Sequence, residues 1–95
     1  MLYQILRNRL KKRTNKKFVK WLVGQKSNAN NEFHHILKSF VGGKKQNDLL
    51  LTEITREFHQ EITYKREPTE DEFITMFIQA LENIFDYIEY LESEK

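Results

Sequence analysis

The spacing of apolar positions divides the chain into five stretches. Leu2, Ile5, Leu6 and Leu10 recur every three or four residues, and Phe18, Val19 and Leu22 continue as a second short stripe. That period predicts helix, with Thr14-Asn15 as a break and N-cap and Gly24 as the stop. "GQKSNANN" is a polar linker of turn-forming residues. "EFHHIL" and "LLLT" are short apolar runs separated by "KSFVGGKKQND", and predict strand, loop and strand. From Ile54 the helical period returns, with Ile54, Phe58 and Ile62 four residues apart and His59 and Thr63 on an adjacent face.

Pro68 closes that helix. "TEDE" then opens the last one, with Thr69 as cap and Glu72 placed to complete a capping box. The last helix runs to about residue 92, with Phe73, Phe77, Leu81, Ile84, Ile88 and Leu91 at spacings of 4, 4, 3, 4 and 3, close to a heptad seam. Ile74, Ile78, Phe85 and Tyr87 widen its apolar face, which must be covered by the N-terminal helix or by a second copy. The expected fold class is α+β and mostly helical: two short antiparallel strands plus a helix, flanked by a basic N-terminal helical segment and a long C-terminal amphipathic helix.

Length and composition narrow the options. The 95 residues suit a single domain, 1–95, with parts 1–26, 32–66 and 69–93. Cysteine is absent, which removes disulfides, thiolate zinc sites and cysteine nucleophiles. With no long apolar run at the N-terminus or elsewhere, the expectation is a cytoplasmic protein with no membrane contact. The net charge of +2 conceals a polarity. Residues 1–26 hold nine cations (Arg7, Arg9, Lys11, Lys12, Arg13, Lys16, Lys17, Lys20, Lys26) and no acid, whereas residues 69–95 hold eight acids and one lysine. Such a basic end suits a polyanion, or attraction to the acidic end. Phe18 and Trp21 lie among these cations, but their helical spacing marks them as core.

The chemistry-bearing residues fall on this map in a set order. His34 and His35 lie in the first strand, Gly42-Gly43 in the loop, Asn47 before the second strand, and His59 on the following helix, 24 residues after His35. The run "FHHILKSFVGGKKQNDLLLTEITREFHQEI" resembles the HNH nuclease motif of the ββα-metal (His-Me finger) superfamily, and most of all small phage and prophage HNH proteins. The resemblance spans residues 32–63, about a third of the chain.

It implies a ββα-metal core and a DNA endonuclease of low sequence specificity that hydrolyses phosphodiester bonds. His35 would be the general base, His34 and His59 the protein ligands of one divalent ion, and Asn47 the residue that ties the loop and orients the base. The ion would be Mg²⁺ or Mn²⁺, with Zn²⁺ or Ni²⁺ as alternatives, because Thr63 stands where some members carry a third histidine. Phe58 replaces a further histidine of the subgroup and reads as core. Arg7, Lys11, Lys12, Arg13, Lys16 and Lys17, with Lys44 and Lys45 from the loop, are the expected phosphate contacts. DNA is the expected partner, and the protein would work in the cytoplasm, a host's if phage-encoded. A homodimer through the final helix and a protein partner supplying specificity are both compatible with the sequence. The competing readings are an inactive HNH-like DNA- or protein-binding module and a small helical interaction protein. Adjacent strand residues point to opposite faces, so His34 and His35 share one site only if the strand ends or twists there.

Overall fold

The computed structural model describes Arg9, residues 13–36 and residues 47–94. The stripe Leu2, Ile5, Leu6 and Leu10, the glycines Gly42 and Gly43, and Arg7, Lys11, Lys12, Lys44 and Lys45 lie outside the described residues.

Helix α1 (Lys16–Lys26) starts where Asn15 caps it, the side-chain oxygen accepting from the Phe18 amide at 3.0 Å. Phe18 and Leu22, one turn apart, are its buried residues. Gly24 does not stop the helix, which runs on to Lys26. A side chain at Gly24 would meet nothing within 4 Å, so the glycine merely faces open space. What holds the last turn is Lys26, whose ammonium donates to Asn83 at 2.8 Å and lies 3.8 Å from Glu53 and 3.7 Å from Asp86.

Strands β1 (Asn31–His35) and β2 (Leu51–Thr55) pair antiparallel, with Asn31 opposite Thr55 and His35 opposite Leu51. The second strand therefore sits later than "LLLT" and takes in Ile54, which periodicity had assigned to the helix. Leu49 and Leu50 are held in a turn instead: the Leu49 amide donates to the Asn47 side-chain oxygen at 3.0 Å and the Leu50 amide to the Asn47 carbonyl at 3.1 Å. β-Branched Thr52, Ile54 and Thr55 supply the ladder. Thr55 then caps helix α2 (Arg56–Gln60) by accepting from the Phe58 amide at 3.1 Å. A wider π-helical turn, Glu61–Lys65, continues α2, and the chain becomes extended at Arg66, just ahead of Pro68.

Helix α3 (Glu70–Ser93) has the predicted capping box in full. The Glu72 amide donates to Thr69 Oγ1 at 3.2 Å, and the Thr69 amide to Glu72 Oε1 at 2.9 Å. Arg66 bridges this cap to the preceding turn, donating to both Glu72 oxygens and to Glu61. Hydrogen bonding from Arg66, aided by the Thr69 amide, holds the Glu72 carboxyl down to about 2.

The face of α3 that is buried differs from the expected seam. Phe73, Met76, Ala80 and Asn83 face inward, while Ile88 and Leu91 remain exposed. The cause is Asn83, fully buried although polar. It donates to the Leu51 carbonyl at 3.1 Å and to Glu53 at 3.2 Å, and accepts from Lys26. Gln79 extends this polar layer to Glu53 and Thr52. Small Ala80 and hydrogen-bonding Asn83 let α3 lie close against β2, and that sets its rotation.

Two apolar clusters flank the sheet. Ile36, Leu50, Ile54, Phe73, Met76 and Ala80 pack with Phe58, Ile62 and Phe77 on the α2 side. On the α1 side, Phe18, Leu22 and Leu51 pack with residues that include Phe33, Ile84 and Tyr87. The architecture is α+β, with α2 covering one face of a two-stranded sheet, α1 the other, and α3 spanning both. Among the described residues, no helix is long and apolar enough to cross a membrane.

Candidate metal centre and its flanking histidine

The alternation of β1 sorts its side chains between the two faces of the sheet. Glu32 and His34 fall on the α2 side, Phe33 and His35 on the α1 side. On the α2 side the His34 ring, 7% exposed, meets the His59 ring edge-on at a centroid separation of 5.2 Å. His59 is there because Thr55 starts α2 directly after β2, which turns the fourth helical residue back over β1.

Glu32 completes the cluster. One oxygen accepts from His59 Nδ1 at 3.2 Å, and the other lies 3.3 Å from Arg56 Nε. Arg56 also donates to the Ala29 carbonyl at 3.3 Å. An ionised carboxylate only accepts, so the His59 proton sits on Nδ1 and the lone pair on Nε2. That is the tautomer a metal ligand needs, and a carboxylate behind a ligating imidazole fixes its ring orientation.

The spacing of the two rings fits a shared ion. A metal–nitrogen bond of about 2.1 Å places two imidazole centroids about 5 Å apart when both bind one ion. Among the described residues, no group of three or more His, Cys, Asp or Glu is arranged to hold a metal. Thr63, one turn beyond His59, is exposed and offers no imidazole. Two imidazole nitrogens fall short of the four protein ligands of a structural zinc site.

His35 does not join this pair. Its Nε2 donates to Asp48 Oδ1 at 2.9 Å on the α1 side of the sheet, which leaves the lone pair on Nδ1. Asp48 is itself held: Oδ2 accepts from the Asn15 amide at 2.8 Å, and the Asp48 amide donates to the Arg13 carbonyl at 2.9 Å. Asn47, 7% exposed, closes the turn before β2 and pairs through its backbone with Arg13. The structure therefore divides between two neighbours the task the sequence placed on Asn47, with Asn47 shaping the turn and Asp48 gripping the imidazole.

Arg13, Lys16 and Lys17 are exposed on either side of the Asn15 cap, and both Arg13 and Asn15 touch Asp48 through their backbones. Sequence reasoning overlooked Glu32, Asp48 and Arg56. Glu32 carried a readable signal, because a residue two before His34 must share its face. Asp48 was masked by its neighbour Asn47. Arg56 had no signal, since an exposed helical arginine is ordinary. No protein-family model matches the chain, and no curated protein or solved structure matches it either.

Proposed function

We propose that the chain is a metal-dependent DNA endonuclease of the HNH type, working in the cytoplasm with low sequence specificity. One observation carries the reading: His34 and His59, from a strand and from the helix after the next strand, adjoin at 5.2 Å with Glu32 orienting His59. This is the ββα arrangement that the order His-His, Asn, His implies.

In this reading His34 and His59 would hold one divalent ion, Mg²⁺ or Mn²⁺ as the resemblance implies. When bound, the ion neutralises charge at the phosphate and at the leaving 3′-oxygen. His35 ends β1 and takes the proton of the attacking water at Nδ1, while Asp48 stabilises the imidazolium that forms. The new bond joins water oxygen to phosphorus, the bond to the 3′-oxygen breaks, and that oxygen is protonated from solvent. Arg13, Lys16 and Lys17 hold flanking phosphates, joined by the sequence-assigned Arg7, Lys11, Lys12, Lys44 and Lys45.

Incubation with supercoiled plasmid is expected to yield nicked circles in Mg²⁺ or Mn²⁺ and none in EDTA. Absence of cleavage of supercoiled, linear or single-stranded DNA with every divalent ion would refute the reading. Salt-dependent binding without cleavage would mark an HNH-like binding module instead.

A further inference from the structure

Helix α3 carries a second apolar stripe that the fold does not use. Ile74, Ile78, Leu81, Phe85 and Ile88 recur at spacings of 4, 3, 4 and 3, a heptad seam on the side away from Met76, Ala80 and Asn83. Phe85 is 61% exposed and Ile78 51%, and Ile74 and Ile88 are also exposed. A row of large apolar side chains along one helix is more than the scatter of single apolar residues found on ordinary surfaces.

The charges on the same helix select what can cover it. All of its ionisable carboxyl and basic positions are acidic: Glu70, Asp71, Glu72, Glu82, Asp86, Glu89 and Glu92. Glu82 and Glu89 each follow a seam residue and occupy the exposed flank, while on the other flank Phe77 and Ile84 pack into the two clusters. Nucleic acid and anionic lipid headgroups are repelled by such a rim. A second copy set antiparallel brings Glu82 against Glu82, like charge against like. A helix with apolar heptad positions and lysine or arginine beside them satisfies both the seam and the rim.

We propose that this face of α3 docks a basic amphipathic helix of a partner protein. The site is independent of the histidine cluster and lies at the acidic end of the chain.

The test uses the full chain and two synthetic peptides of about three heptads, with leucine and isoleucine at the seam and either lysine or glutamate at the flanks. Fluorescence anisotropy is expected to show the lysine peptide binding about tenfold or more tighter than its glutamate twin, a gap that narrows at high salt. Ile78→Ser combined with Phe85→Ser is expected to weaken the lysine peptide by about tenfold. Far-UV circular dichroism should remain unchanged, since both side chains are exposed. Equal binding of the two peptides, binding indifferent to the double substitution, or no binding would overturn the proposal. So would a dimer of the free chain, seen by light scattering and dispersed by the same substitutions, which would assign the face to a second copy. Binding of a synthetic peptide of residues 1–13 as tight as that of the lysine peptide would also overturn it, by assigning the face to the chain's own N-terminal segment.

Discussion

His35→Ala is expected to slow metal-dependent nicking by about 10²- to 10⁴-fold, the range by which a positioned general base accelerates proton transfer. The effect follows from how the imidazole is held. Its Nε2 is engaged by Asp48, which the Asn15 amide fixes from the other side, so the ring presents Nδ1 in one orientation. Removing the ring leaves Asp48 still bonded to Asn15, and the loss should fall on the chemical step rather than on folding. Asp48→Asn keeps a hydrogen-bonding group but removes the charge that stabilises the imidazolium, and should cost about 10- to 100-fold. Initial nicking rates at saturating DNA, with DNA affinity measured in parallel, provide the check. A wild-type rate in His35→Ala would remove the histidine from the mechanism.

The second large effect is on stability. Phe18→Ala is expected to cost about 3–5 kcal/mol in urea unfolding, the usual range for truncating a buried phenylalanine. Phe18 is completely buried. It packs with Leu22 and Leu51, meets Tyr87 edge-on at 5.1 Å and stacks on Trp21 at 6.3 Å. It is one of the residues through which α1 reaches both β2 and α3. A domain of this size has about 5–15 kcal/mol in total, so the variant should be marginal at room temperature. A loss of under about 1 kcal/mol would mean that α1 does not dock on the sheet as described.

The parts of the fold that were legible in the sequence share a cause: their signals are local. Thr69 with Glu72, and Asn15 ahead of Phe18, declare helix starts through side chains that bond amides two or three residues away. The two strands and the helix behind them followed from a change in apolar period. The second strand was misplaced because Leu49, Leu50 and Leu51 look alike. Only the turn closed by Asn47 assigns the first two to the loop and the third to the ladder.

The rotation of α3 was hidden for a different reason. A helix apolar on so much of its circumference offers several stripes, and hydrophobicity alone does not choose between them. The choice is made by a polar residue, Asn83, whose partners are the Leu51 carbonyl, Glu53 and Lys26, none of them near it in sequence. At the candidate site, strand alternation alone separated His34 from His35. The carboxylate that grips His35 became visible only once the turn at Asn47 and Asp48 was in place. Glu32 and His59 are 27 residues apart, and His35 and Asp48 are 13 apart.

The most direct test of the metal centre is a Zn²⁺ titration followed by NMR of the histidine ring nitrogens, with zinc as a diamagnetic stand-in for the native ion. Saturable, one-to-one shifts are expected on the rings of His34 and His59, with coordination through Nε2 of His59 because Glu32 occupies its Nδ1–H. The His35 ring should remain with Asp48, and His34→Ala or His59→Ala should abolish saturation. No saturable change, or binding that survives both substitutions, would contradict it.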